Sequence, residues 1–232
     1  MLFKKRSEDK ERMDTEEISA AQWSLFIKDL AWINRYLFGF RTLRGLRALC
    51  AQNPPARLTL AEFACGSGHT LHATARWALN NGLSLHCIGY DINPVLIAKA
   101  QQKTHVEGSL HFAEQDIFCP EFCQQTFDII SCHFFCHHLT DAELVAFFKQ
   151  LSQQARLGIM INDLHRHPLS YLGFKLLSLF KSFSPMVRHD ALVSIRRGFV
   201  KRELVALLQQ AGIQNYQIKW QFPFYFNIII RT

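Results

Sequence analysis

The run Leu58-Thr-Leu-Ala-Glu-Phe-Ala-Cys-Gly-Ser-Gly-His69, with Gly89-Tyr-Asp-Ile-Asn-Pro94 downstream of it, constrains this chain more than any other feature. An apolar segment runs into a turn holding two glycines, then a helical stretch, then a second apolar segment that ends in an acid. Gly66 and Gly68 remove side chains where the backbone must turn tightly and approach a ligand. Residues 83–90 predict the second strand and set Asp91 at its carboxyl end. A carboxylate there can accept hydrogen bonds from the two hydroxyls of a ribose. The pattern predicts an α/β fold that binds a nucleoside at the carboxyl ends of its strands.

Two cofactor classes use this layout, and glycine spacing separates them. Dinucleotide sites want G-x-G-x-x-G, because the backbone must cradle a pyrophosphate at a helix start. Here the run is Ala64-Cys-Gly66-Ser-Gly68-His-Thr-Leu71, so the third glycine is missing. The segment instead resembles the first motif of class I S-adenosylmethionine-dependent methyltransferases, an acid followed by three alternate glycines. Glu62, Gly66 and Gly68 match it, and Ala64 stands where the first glycine would be, which narrows the space beside the methionine moiety.

The resemblance continues in order. Residues 110–117, ending in Asp116 and Ile117, look like the third strand, with Asp116 where the family contacts the adenine amino group. Phe127-Asp-Ile-Ile-Ser-Cys-His133 looks like the fourth, and Phe134-Phe-Cys-His137-His138-Leu139 resembles the helix-entry segment of quinone-biosynthesis and related small-molecule methyltransferases. Residues 156–163 read as the fifth strand. The resemblance implies a Rossmann-like fold: a mostly parallel seven-stranded sheet with an antiparallel last strand, N-terminal helices and a helical lid. It also implies S-adenosyl-L-methionine as cofactor, held by Glu62, Ala64, Gly66, Gly68, Asp91, Ile92, Asp116, Ile117 and His133.

Around that core, the expected divisions are residues 1–56, a tail and helices covering the pocket; 57–163, the cofactor-binding core; 164–199, a lid; and 200–232, a last helix with a closing hairpin. In the first, Trp23, Phe26, Leu30, Ile33 and Leu37 recur at helical spacing after Ser19, a suitable N-cap. Gly39 marks a break before a shorter stripe of Leu43, Leu46 and Leu49. Asn53-Pro54-Pro55 stops a helix, since proline cannot continue one. In the lid, Leu172, Leu176, Leu179 and Phe180, with Phe183, either cap the domain, wall an apolar acceptor or rest on a membrane surface. Lys175 and Lys181 argue against a membrane span. Leu204, Leu207 and Leu208 predict the buried face of the last helix, with Gly212 as its C-cap.

Composition fits a soluble enzyme domain. Of 232 residues 49% are hydrophobic and 19% charged, and no apolar run approaches the ~20 residues a span needs. Seven cysteines, an odd number without dense spacing, suggest a reducing cytoplasm. The net charge of +7 invites a nucleic-acid partner, but the basic residues are dispersed over Lys4-Lys5-Arg6, Arg41-Arg44-Arg47 and Arg196-Arg197-Lys201-Arg202 and read mostly as solvated faces. The N-P-P-aromatic box of base-amine methyltransferases is also missing after the fourth strand, which argues against a nucleic-acid acceptor.

Methyl transfer asks a protein to align donor and nucleophile and to exclude water. A phenol, enol or carboxylate acceptor also calls for a base, and histidine titrates in the useful range. His137, His138 and His165 fall near strand ends, with Asp163 as a further candidate at the tip of the fifth strand. Cys119, Cys123, Cys132, Cys136, His137 and His138 crowd one window, but no C-x-x-C occurs and Cys132 falls inside a strand, so no metal is expected. The reading is methyl transfer to a small apolar acceptor, hydroxylated aromatic, quinone-like or polyketide-like, with oligomeric state open. Alternatives are a nucleic-acid or protein methyltransferase, or a nucleoside-binding domain without turnover.

Overall fold

Both glycine turn and terminal acid sit at the carboxyl edge of a seven-stranded sheet in the computed structural model, which describes residues 3–38, 43–50, 57–102 and 109–232. The Gly39 break, the side chain of Leu43 and Asn53-Pro54-Pro55 lie outside what is described. The strands are β1 (Leu58–Phe63), β2 (Leu85–Asp91), β3 (Leu110–Glu114), β4 (Phe127–His133), β5 (Ala155–Leu164), β6 (Tyr216–Gln221) and β7 (Tyr225–Arg231). Their order is β3-β2-β1-β4-β5-β7-β6, with β7 antiparallel to both its neighbours and the other pairings parallel. Strand order reverses between β1 and β4, so the crevice of a doubly wound sheet opens beyond the ends of those two strands. Their near-continuous apolar runs are buried on both faces, as parallel strands covered by helices require.

Helices α1 (Ala20–Ile33), α2 (Leu43–Cys50), α3 (His69–Asn80), α4 (Pro94–Gln101), α5 (Asp141–Gln154), α6 (Pro168–Phe180), α7 (Pro185–Arg197) and α8 (Lys201–Gln210) flank the sheet. Local chemistry fixes where several begin. The Ser19 hydroxyl accepts from the Gln22 N–H while the Gln22 side chain accepts from the Ser19 N–H, and Thr140 and Glu143 repeat this reciprocal box at α5. Leu204, Leu207 and Leu208 of α8 are buried against the sheet, and Gly212 takes φ +80° just beyond it. No helix among the described residues is long and apolar enough to cross a membrane.

Of the alternatives open for the lid, one is removed. Leu172, Leu176, Leu179 and Phe180 of α6 face away from the pocket, each more than half exposed, and so do not wall an acceptor. The cavity side of the same helix carries Ser170, Gly173, Phe174 and Leu177. Helix α6 is apolar on two opposite faces, and periodicity alone does not say which one turns inward.

The N-terminal tail is a strap rather than a solvated arm. Arg6 donates to the carbonyls of His137, Leu139 and Arg197 and pairs with Asp141 at 2.7 Å. Both Asp190 carboxylate oxygens accept from the strap, at the N–H groups of Arg12 and Met13. From α7, Arg197 reaches back to the carbonyls of His137, His138 and Asp9, and Arg196 pairs with Asp9. Three of the arginines read as solvated faces therefore tie the strap, the lid and the loop after β4 together.

Candidate active site

A cavity of about 940 Å³ lies across the crevice, between the ends of β1, β2 and β4 on one side and the strap, α1, α6 and α7 on the other. Its two halves differ in chemistry.

The first half is built by the turn after β1. Ala64 takes φ +53°, Gly66 φ +54° and Gly68 φ +72°. Ala64 holds a left-handed conformation that costs an L-residue roughly 1–2 kcal/mol, so the departure from glycine is tolerated at a price in strain. A side chain at Gly66 would meet nothing within 4 Å, leaving its backbone open to the cavity. Gly68 plays a different part, since a Cβ there would stand 2.5 Å from the Phe112 ring, and Gly68 does not line the cavity. Its bareness serves the packing of the turn on β3.

Asp91 stands beside this turn. Its Oδ2 accepts from the Gly66 N–H at 2.7 Å and its Oδ1 from the Asn93 N–H at 2.9 Å, which aims the carboxylate and leaves lone pairs for a ligand. Burial raises its pKa against the pull of those backbone donors. Glu62, at the end of β1, is buried with Oε2 lacking any hydrogen-bond partner. Burial, with the Asp91 charge nearby, pushes its carboxyl up to about 8. An orphaned carboxylate oxygen at a cavity wall fits an ammonium group such as that of a methionine moiety. Ile92, Asp116, Ile117 and His133 line the same cavity, and exposed Phe118 joins them. Asp116 Oδ1 accepts from the Phe118 N–H at 2.9 Å. His133 is oriented by Asn162 at 3.1 Å, which Asn227 holds in turn, and burial pushes its pKa down to about 3. These donors, acceptors and apolar walls fit a nucleoside carrying an amino acid.

The second half is mostly apolar, with Phe26, Leu30, Ile33, Phe38, Phe134 and Phe174 on its walls, and carries one charged patch. In that patch Asp163 Oδ1 lies 2.7 Å from His137 Nδ1, and Asp163 Oδ2 accepts from the His137 N–H at 3.1 Å. Glu11 Oε1 approaches His137 Nε2 at 3.4 Å and accepts from the Ser194 hydroxyl. Burial alone would push the His137 pKa down, but Asp163 and Glu11 outweigh it and raise it to about 9. Burial would likewise raise Glu11, yet the hydrogen bond from His137 and the charges of His138 and His137 bring it down to about 2. His138 is half-buried, with Nδ1 3.0 Å from Asp14 Oδ2 and Nε2 3.8 Å from Glu11 Oε1.

The structure thus joins His137, His138 and Asp163, and sets His165 apart. Leu164 lines the cavity, so by strand alternation His165 points to the opposite face. There its ring packs on His167 and Phe226, and its Nδ1 accepts from the Trp220 indole. Asp163 is wholly buried behind His137 and does not line the cavity. Cys132 and Cys136 belong to the apolar core, whereas Glu11, His137 and His138 each bring a ligand-type atom within 4.8 Å of the others. Glu11 and Asp14 were missed in the sequence because they sit in a mixed-charge tail without periodicity or motif.

Residues 60–158 match the family described as methyltransferase domain. Over that segment the chain is similar to methyltransferase domains, and its fold is the Rossmann-like one of class I methyltransferases. Solved structures share the fold of this chain at low identity. Human N-acetylserotonin methyltransferase in complex with SAM is 19% identical, with a TM-score of 0.62 over 92% of this chain and 56% of that one. A SAM-dependent methyltransferase from Aquifex aeolicus is 14% identical, with a TM-score of 0.63, 93% of this chain and 99% of that one. An O-methyltransferase family protein from Burkholderia thailandensis is 13% identical, with a TM-score of 0.68, 95% of this chain and 62% of that one. The chain therefore spans 56% and 62% of the length of two of these three structures. No protein of curated function matches its sequence significantly.

Proposed function

We propose that the protein is an S-adenosylmethionine-dependent methyltransferase that methylates a hydroxyl of a small apolar acceptor, a hydroxylated aromatic, quinone-like or polyketide-like molecule. The observation that carries this reading is the charged patch of Glu11, Asp14, His137 and His138 in a mostly apolar half-cavity facing the cofactor turn. An acceptor that fits such walls is apolar over most of its surface and polar where the chemistry happens. The similarity to an O-methyltransferase family protein supports the choice of oxygen. Seven free cysteines support a reducing compartment, the cytoplasm.

S-Adenosylmethionine, which Glu62, Asp91 and the turn at Gly66 would hold, would supply an electrophilic sulfonium methyl to the acceptor oxygen. The chain's own residues prepare that oxygen. Asp14 accepts from Nδ1–H of His138, so in the neutral ring Nε2, 3.8 Å from Glu11 Oε1, is the nitrogen that takes the hydroxyl proton, and Glu11 favours the charged ring that results. His137, between two carboxylates, already holds its proton at neutral pH and is not a base. It is a positive charge that favours an ionised acceptor, and Asp163 and Glu11 are positioning residues. The strap and lid exclude water from the exchange.

The test is methyl transfer from labelled S-adenosylmethionine to a panel of apolar phenols, with RNA and an unrelated protein as controls. Phenols are expected to yield methyl ethers, and the macromolecules no label. Label in the macromolecules alone would overturn the reading. Chelation with EDTA is expected to leave the rate unchanged; a loss restored by zinc or manganese would put a metal, not a proton, between Glu11, His137 and His138.

A further inference from the structure

Helix α6 carries a second apolar face that nothing among the described residues covers. Leu169, Leu172, Leu176, Leu179 and Phe180 are between 53% and 85% exposed. At ~100° per residue they fall within one arc of roughly 100°, opposite the buried Phe174. Phe222 of the β6–β7 turn, 64% exposed, lines the cavity together with Leu169, and Trp220 beside it is 47% exposed. The apolar surface is therefore continuous with the mouth of the acceptor half.

Cations rim this face. Exposed Lys175 projects at its flank, and Lys181 follows the last turn of α6, over the rings of Trp32 and Phe183 at 5.7 and 5.2 Å. Between Asp163 and Asp190 the sequence contains no acid at all. Two copies meeting through this face would bring lysines against lysines with no carboxylate to answer them. A layer of anionic headgroups answers them directly, while the leucines and Phe180 enter the acyl boundary.

We propose that the outer face of α6 docks the protein on an anionic bilayer surface and that the acceptor is a phenol borne on an alkyl chain, passing from the lipid between Leu169 and Phe222 into the cavity. The second part rests on the acceptor chemistry proposed above; the docking surface does not. Thirteen residues of α6 are too few to span a bilayer, so the helix lies in the interface plane.

Vesicle flotation with the full chain tests the docking. The protein is expected to float with phosphatidylglycerol-containing vesicles, to float far less with pure phosphatidylcholine, and to release as salt rises. The double substitution Leu176→Glu, Leu179→Glu changes two exposed positions outside the cavity lining. It should cut the bound fraction at least tenfold, with melting temperature, S-adenosylhomocysteine affinity and turnover of a short soluble phenol retained. With a long-chain alkylphenol presented in vesicles, the same variant should lose most of its rate. No flotation on anionic vesicles, or flotation unaffected by the substitutions, overturns the proposal. So does light scattering that finds a dimer which the substitutions dissociate, because the face would then belong to a second copy. Should flotation behave as expected while neither phenol is methylated, the docking surface stands and the acceptor chemistry is at fault.

Discussion

Glu11 of the N-terminal strap closes on His137 of the loop after β4, its Oε1 3.4 Å from the ring nitrogen that Asp163 does not occupy. A buried imidazolium between two carboxylates is a linkage device with a definite sign. The pKa of His137 rises from its ordinary value of 6.5 to about 9, so its stabilisation is complete below 6.5 and is lost as pH rises toward 9. Glu11 falls from 4.5 to about 2, so its share is complete above 4.5 and is lost as pH falls toward 2. Counted once for the coupled pair, the effect is on the order of 3 kcal/mol. The melting temperature difference between the wild type and Glu11→Gln should be largest between pH 4.5 and 6.5 and shrink on both sides. A difference constant across pH would mean that Glu11 does not face a charged His137.

The roles of the adjacent histidines separate by kinetics. His138→Ala should lower kcat by about 10²–10⁴ with cofactor affinity unchanged, and raising the pH should restore part of the rate as the acceptor hydroxyl ionises unaided. His137→Ala should also be slow, and because the lost group is a charge that favours the ionised acceptor, it should weaken binding of the phenolate as well, whereas His138→Ala should leave that binding unchanged. Equal phenolate affinity in both variants would remove the distinction drawn between them.

Asp91 tests the cofactor half. Asp91→Ala removes a carboxylate placed for two charge-assisted hydrogen bonds to a ribose, each worth roughly 1.5–3 kcal/mol. Calorimetry should find S-adenosylhomocysteine bound at least tenfold more weakly, with the melting temperature of the free protein showing that the fold survives. Unchanged affinity would mean that the ribose lies elsewhere.

Glu62 carries a proton in the free protein near neutral pH, since burial holds its pKa at about 8. An ammonium group arriving at its unpartnered oxygen stabilises the charged form and expels that proton. Titration with S-adenosylhomocysteine at pH 7, in buffers of different ionisation enthalpy, should detect close to one proton released, and Glu62→Gln should abolish the release. Identical apparent enthalpies in all buffers for the wild type would contradict the assignment.

Much of the cofactor half was legible in the sequence because it is local. Strand, glycine turn and terminal acid follow one another, and β4 runs from Phe127 to His133 as its apolar pattern predicts. The acceptor half was legible only in part: His137, His138 and Asp163 stood out near strand ends, but Glu11 and Asp14 join them only through the tertiary fold. His165 illustrates a narrower limit. One more residue of strand, Leu164, was enough to turn its ring to the other side of the sheet. Gly68 is another: spacing marked it for a ligand, whereas its neighbour is the Phe112 ring.

The strap also sets an order of events during synthesis. Its partners, from Asp141 and Asp190 to Ser194 and Arg197, are made long after it. At roughly 5–20 residues per second, residues 3–14 wait several seconds outside the ribosome before α7 exists to receive them. Until then Glu11 is a hydrated carboxylate on an unplaced segment, and the pocket has no wall on that side. Residues 3–14 are thus made before their partners and placed after them, and a chain cut short before α7 holds no assembled acceptor site.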